Sequence, residues 1–233
     1  MKIRSVSLIV ILALILGFSS KSELFAQGKF GATPEDSTEC IMNLSLYSEF
    51  FKQWKSSGYK NTSVNDAFGP WRKVFLGCPA ARLGTYVDGV KMLKHYIRLQ
   101  KDTDIKNAYI DTLMMLYDSR IEYFAKEGYV LGRKGVDLYQ LRVKDYEEAY
   151  GILTKSVELE GDASYPDVLV FLMRSTKKMI DEGKISEDII FDNYDLCSKI
   201  IEVNVVANKD NERKLSNWEN VRGNIDLIFE PFA

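Results

Sequence analysis

The single histidine of the chain is the first residue whose chemistry has to be considered. His95 lies in the segment KMLKHYIRL, beside the apolar positions of an amphipathic helix. A catalytic histidine needs a nucleophile or carboxylate partner, and a metal site needs several ligands at fixed geometry. No cysteine and no acidic cluster with ligand spacing lies near His95 in the sequence. We therefore predict a packed or solvated histidine rather than a catalytic or metal-binding one.

Two other groups of residues could suggest chemistry, and neither fits a known catalytic pattern. Gly132 and Gly135 lie in VLGRKGVDL, but no strand precedes them and the Lys-Ser/Thr ending of a phosphate-binding loop is missing. The sequence predicts instead that they mark the entry into a helix. A predicted helix start contains three acidic residues, Asp145, Glu147 and Glu148. Carboxylates at this position are stabilised by the unpaired backbone N–H groups of the first turn. We therefore expect a protein that is not an enzyme and has no cofactor and no metal.

The chain has three cysteines, and their positions relative to the predicted helices differ. Cys40 lies near the start of the first predicted helix and Cys78 at the end of the second. These two ends are neighbours in an antiparallel helix pair, so a disulfide between them is predicted, provided the compartment is oxidising. The alternative is that both are unpaired core residues. Cys197 falls within a helix and is predicted to be a buried thiol.

The N-terminal residues have the features of a secretory signal peptide. Lys2 and Arg4 precede an apolar run of eleven residues, 8–18, and Leu24 and Ala26 occupy the −3 and −1 positions of a cleavage site before Gln27. A membrane anchor is the rival interpretation, but spanning needs about 20 apolar residues. We expect residues 1–26 to be removed and the protein to be exported to the periplasm or cell envelope. The net charge of −2, with mixed signs along the chain, gives no reason to expect nucleic-acid binding.

The rest of the chain reads as a succession of amphipathic helices with no strand signal. A flexible leader is predicted over 27–34, followed by a first helix that ends near 56–58. Further helices are predicted over 66–76, 80–99, 105–125, 130–143, 146–159, 166–180, 187–205 and 211–229. Gly128 and Gly161 are predicted to interrupt the helices, and Thr103 or Asp104 to cap one of them.

A repeat of about forty residues relates these helices. Ala67, Ala108 and Ala149 are separated by 41 residues each, and Ile190 follows at the same interval. Where two antiparallel helices approach closely, a small side chain is needed at the crossing point. We therefore predict that these four positions are equivalent helix crossings, because stacked helix pairs can bury a core that one pair cannot.

The residues around two of these positions resemble the tetratricopeptide repeat (TPR), in particular the exported TPR proteins of Bacteroidetes. Ala67, Trp71 and Pro79 match the small residue, the aromatic residue and the closing proline of its second helix. Ala149 matches the small residue, and Gly161 stands in place of the proline. The resemblance implies an all-α, right-handed helical-repeat solenoid over 35–233, with about four helix pairs and one terminal helix. The period is longer than the usual length of about 34 residues, and an irregular helical bundle with chance spacing is the alternative.

The same resemblance implies a non-enzymatic scaffold that binds a protein or peptide, with outer-membrane association only through a partner. Polar residues on first helices would then line a groove and bind an extended peptide by charge-assisted or amide hydrogen bonds. The residues predicted for this role are Asp88, Lys91 and His95 on the second pair and Arg133, Asp137 and Gln140 on the third.

A glycan-binding component of an outer-membrane uptake system is the alternative function. The chain contains 13 Tyr, 12 Phe and 3 Trp, which core packing explains better than a carbohydrate platform. Clustered exposed aromatic residues would favour a glycan, and mixed charge in a groove would favour a peptide.

Overall fold

The computed structural model describes residues 28–233, and in this range all regular secondary structure is helical. The α-helices are α1 (Pro34–Ser56), α2 (Ser63–Gly77), α3 (Leu83–Leu99), α4 (Thr103–Phe124), α5 (Glu127–Leu141), α6 (Tyr146–Glu160), α7 (Pro166–Asp181), α8 (Asp188–Ala207) and α9 (Glu212–Phe229). Short 3₁₀ turns lie at Val143–Asp145, Gly161–Ala163 and Glu230–Phe232. The predicted all-α class is confirmed, and each predicted helix corresponds to an observed one within a few residues.

The predicted signal peptide, residues 1–26, lies outside the described residues. Of the predicted leader, residues 28–30 are helical and Thr33 already caps α1. Across the described range, no helix has both the length and the apolar character needed to span a bilayer.

At the starts of α1, α4 and α9, a short side chain accepts hydrogen bonds from backbone N–H groups. Thr33 and Asp36 form a reciprocal capping box at α1. At α4 the cap is Asp102, whose carboxylate accepts the N–H groups of Asp104 and Ile105. The prediction of Thr103 or Asp104 as the cap was therefore wrong by one or two residues, because Asp102 offers the same acceptor one position before the helix begins.

The chain divides into two compact units, up to Leu99 and from Gln100 onward. In the first unit α1 and α2 pack as an antiparallel pair. Cys40, near the start of α1, is bonded to Cys78, which directly follows α2, with 6.2 Å between their Cα atoms. The disulfide thus fixes the open end of the helix pair, as the sequence had suggested, and Cys197 is a free buried cysteine.

An aromatic core fills the first unit. Trp71 stacks on Phe75, with ring centroids 5.5 Å apart, and its indole N–H donates to the carbonyl oxygen of Thr85 at 2.8 Å. This bond ties α2 to α3. Ala67, one turn before Trp71, is completely buried, as a close helix approach requires.

In the second unit α5 lies closely against α6 and α7. Gly128, Gly132 and Gly135 all face neighbouring side chains, and a Cβ atom at Gly135 would lie 2.6 Å from Cγ of Leu153. The prediction that Gly132 and Gly135 mark a helix entry was wrong: both lie inside α5. Gly128 also lies inside α5.

The interruption between α4 and α5 comes instead from the two residues between them. Ala125 and Lys126 both have positive φ, 56° and 63°. Only Lys126 is in the left-handed helical region, with ψ of 44°, whereas Ala125 has ψ of −152°, and together they turn the backbone out of the helical path.

Three of the four predicted crossing positions are fully buried: Ala67, Ala149 and Ile190. Ala108 is exposed, so its assignment as a helix crossing was wrong. The buried face of α4 begins at Ile110, two residues further on, which places Ala108 on the solvent side. The predicted second helix pair, 80–99 with 105–125, spans the boundary between the two units.

Candidate ligand-binding cleft

The first unit contains an open cleft of about 420 Å³ between the end of α1 and the second half of α3. It is lined by Trp54, Tyr59, Lys91, Lys94, His95 and Arg98. Two of these residues, Lys91 and His95, belong to the group predicted to contact a partner.

The aromatic side of the cleft is positioned by the turn that follows α1. Gly58 and Tyr59 both adopt positive φ, 67° and 64°, and the N–H of Tyr59 donates to the carbonyl oxygen of Trp54 at 2.9 Å. A left-handed tyrosine costs about 1–3 kcal/mol and persists only when its surroundings hold it. Here the Tyr59 ring meets Trp54 edge to face, with centroids 4.8 Å apart.

The basic side of the cleft is one face of α3. Lys91, Lys94, His95 and Arg98 recur at intervals of three and four residues, so they project from the same face of the helix. The Lys91 ammonium lies 5.8 Å from the ring centroid of Tyr59 and donates to its hydroxyl at 3.4 Å. A guanidinium nitrogen of Arg98 lies 3.4 Å from Nδ1 of His95.

The cleft has a one-sided charge, because its six lining residues include three cations and no carboxylate. Asp88, which the sequence grouped with Lys91 and His95, is held by Arg82 at 3.2 Å and is not part of the lining. Burial raises the pKa of Asp88, although Arg82 and Lys91 oppose the rise. The cleft therefore favours a negatively charged ligand.

His95 is the only lining residue whose charge changes near neutral pH. Its ring packs against Trp54, with centroids 5.0 Å apart. Burial, and then the charge of Arg98, lower the pKa of His95 below its usual value. At neutral pH the imidazole is therefore uncharged.

Trp54 forms the floor of the cleft and carries an unsatisfied polar group. Its side chain is almost completely buried, and its indole N–H has no hydrogen-bond acceptor in the part of the chain described. A buried donor without an acceptor is uncommon, because the lost hydration is not replaced.

The second predicted group, in the other unit, is largely engaged in internal contacts. Arg133 donates two hydrogen bonds to Asp167, at 2.8 and 2.5 Å, and joins α5 to α7. Asp137 is buried and accepts a hydrogen bond of 2.6 Å from the Tyr117 hydroxyl. Gln140 alone is exposed. The assignment of Arg133 and Asp137 to a partner groove was therefore wrong, because their polar atoms bind neighbouring helices.

Sequence reasoning missed four residues of the cleft, and a signal existed for two of them. Lys94 and Arg98 lie three and seven residues after Lys91, so the helical spacing that selected His95 also predicts their side chains nearby. Trp54 lies at the helical spacing of Tyr47 and Phe51, which predicts a core residue, and it is buried in α1. Nothing in the sequence indicated the left-handed turn that returns Tyr59 to Trp54.

The groups that line the cleft are cationic and aromatic. No serine, threonine or cysteine is among them, and in the range 28–233 no three His, Cys, Asp or Glu side chains group to hold a metal ion. Its basic rim can attract an anion, and the exposed Tyr59 can contact an apolar body.

No protein-family model matches the sequence, and no curated protein matches it.

Proposed function

We propose that the chain is an exported, non-enzymatic helical-repeat scaffold of the TPR type, right-handed, that binds a protein or peptide partner in the cell envelope. An acidic segment of the partner docks in the cleft between α1 and α3. The buried small residues Ala67 and Ala149, each followed four residues later by a buried large one, support the repeat type.

One observation carries the proposal: three cations and an aromatic floor line one cleft without a carboxylate among them. Lys91 lies over the rings of Phe51 and Tyr59 and exposes its side chain. An acidic peptide with apolar residues between its carboxylates would satisfy both sides of the cleft.

The expected affinity is modest. Exposed ion pairs contribute about 0.2–1 kcal/mol each, and an aromatic contact adds a similar amount. Three ion pairs and one aromatic contact sum to at most about 4 kcal/mol, so a single cleft of this kind gives a dissociation constant on the order of 1 mM or weaker for a short peptide. Binding should weaken as salt is added, because the cations are close to solvent.

A glycan is less well suited to the cleft. Stacking of sugar on an aromatic residue needs an open ring face, but only 2% of the Trp54 surface is exposed. The Tyr59 and His95 rings are nearly perpendicular to Trp54, at interplanar angles of 79° and 78°, so the three rings form no common flat surface.

The test is fluorescence anisotropy with a labelled hexapeptide of sequence Glu-Leu-Asp-Tyr-Glu-Leu. The matched ligand replaces each acidic residue by its amide, and an acidic oligosaccharide forms a further arm. Lys91→Glu and Arg98→Glu should each weaken binding at least fivefold, because they place a negative charge in the cleft. Lys209→Glu, an exposed reversal in the other unit, is the control. The proposal would be contradicted if the acidic and amide peptides bound equally, or if Lys91→Glu bound the acidic peptide as tightly as the wild type. Tighter binding of the oligosaccharide than of the peptide would favour the glycan function.

Export is tested separately by N-terminal sequencing of protein recovered from the envelope fraction. We expect the mature chain to start at Gln27, and a chain that still starts at Met1 would refute cleavage.

A further inference from the structure

We propose that His95 makes peptide binding in the cleft pH-dependent, so that the affinity for an acidic peptide rises as the pH falls below neutrality. This inference rests on the proposed function, since it assumes that the cleft binds an acidic segment. It adds a regulatory property that no other lining residue can supply.

The geometry places His95 where an added charge would be felt by a ligand in the cleft. The ring is half-buried and packs edge to face against Trp54 of α1 and Tyr96 of its own helix, at 5.0 and 5.6 Å between centroids. Arg98 approaches Nδ1 at 3.4 Å. A ligand that occupies the cleft therefore contacts the same wall as the imidazole.

Every charged group that lines the cleft with His95 is positive. Helix α1 contributes the uncharged Trp54, the following turn contributes Tyr59, and α3 contributes Lys91, Lys94 and Arg98. A proton on His95 is therefore opposed by its surroundings while the cleft is empty. A bound carboxylate adds an opposite charge to this lining.

The pKa of His95 supports this view, because burial and Arg98 lower it in the free protein. Proton binding and peptide binding then assist each other. A new positive charge about 6 Å from a carboxylate, partly screened by solvent, strengthens binding about three- to tenfold. By linkage, the bound peptide must strengthen proton binding to His95 by the same three- to tenfold factor, which raises its pKa by about 0.5 to 1.

The chain offers a direct readout because it contains one histidine. The imidazole proton resonances report the titration of His95 alone in the full chain, with and without the hexapeptide Glu-Leu-Asp-Tyr-Glu-Leu at saturation. We expect a pKa below 6.5 in the free protein and a higher value with the peptide. Anisotropy at pH 7.5 and 5.5 should show tighter binding at the lower pH, by up to the three- to tenfold coupling factor, and the peptide carboxylates are still mostly ionised there. His95→Gln should remove this difference.

The outcomes separate this inference from the proposed function. Peptide binding that is the same at both pH values, with no change in the His95 titration, would overturn the regulatory role and leave the binding function standing. Absence of peptide binding at both pH values would overturn both. A pH dependence that persists in His95→Gln would assign it to another group and refute the role of His95.

Discussion

Because α5 and α6 are in close contact, we predict opposite effects on stability for glycine-to-alanine substitutions at Gly135 in α5 and Gly151 in α6. Gly135 lies inside α5, and an added methyl group would be 2.6 Å from Cγ and 2.8 Å from Cδ2 of Leu153, with Ile152 Cγ2 at 3.2 Å. Gly151 lies inside α6 and has no neighbour within 4 Å of the same position. The added methyl group would therefore clash with buried side chains at Gly135 but would have free space around it at Gly151.

The magnitudes follow from packing and from helix propensity. Replacing a helix-interior glycine by alanine stabilises by about 0.5–1 kcal/mol when space is available. At Gly135 this gain is offset by overpacking, which costs about 1–3 kcal/mol. Leu153 is completely buried and has little room to shift, so the cost should be near the upper end. We expect a net loss of about 1.5–2.5 kcal/mol for Gly135→Ala and a gain of about 0.5–1 kcal/mol for Gly151→Ala.

Urea denaturation followed by circular dichroism measures both changes. The midpoint should fall for Gly135→Ala and rise for Gly151→Ala, with unchanged slopes. If Gly135→Ala were as stable as the wild type or more stable, the close approach of α5 and α6 would be refuted.

Three further predictions concern buried polar groups and the cysteines. Tyr117→Phe removes the hydroxyl that donates to a buried carboxylate and should cost about 1–3 kcal/mol of unfolding free energy in urea melts. The control Tyr194→Phe loses an exposed hydrogen bond of the same kind and should cost less than about 1 kcal/mol. Equal losses in the two variants would contradict the burial of the Tyr117 bond. Because the pKa of His95 is lowered by burial and by the nearby guanidinium, its contribution to stability is complete above pH 6.5 and is lost as the pH falls through the lowered pKa. The wild type should therefore lose more unfolding free energy than His95→Gln between pH 7.5 and 5, and parallel losses would refute this. Thiol labelling in denaturant without reductant should modify Cys197 alone, whereas three labelled cysteines would show that the disulfide is absent.

The helices could be predicted from the sequence because each buries one face at helical spacing. In α1 the buried aromatic residues Tyr47, Phe51 and Trp54 recur at intervals of three and four. The Cys40–Cys78 pairing followed from the same analysis, since an antiparallel pair brings its outer ends together.

The packing partners of each helix could not be predicted in the same way. Periodicity shows which side of a helix is buried, but it does not show which neighbour lies there. Ala108 was chosen because of its residue type and interval, although the buried stripe of α4 starts at Ile110. Asp137 was treated as a solvent-facing charge on α5, and the structure buries it against Tyr117.

The glycines of α5 carried a signal that was not used. Gly128, Gly132 and Gly135 are spaced by four and three residues, which places them on one face of a helix. Small residues at that spacing permit a close approach between helices. The cleft was predictable only in part, because its basic wall is one helix face whereas its aromatic floor depends on backbone angles at Gly58 and Tyr59.

Whether the cleft is where a partner docks is tested most directly by hydrogen–deuterium exchange of the chain with and without the acidic hexapeptide. Backbone amides in a bound region exchange more slowly because local opening is suppressed. We predict slower exchange at saturating peptide in the turn that contains Tyr59 and in the part of α3 from Lys91 to Arg98, and no change in α6. Slower exchange confined to α4–α9, or no change anywhere at saturation, would contradict docking in the cleft.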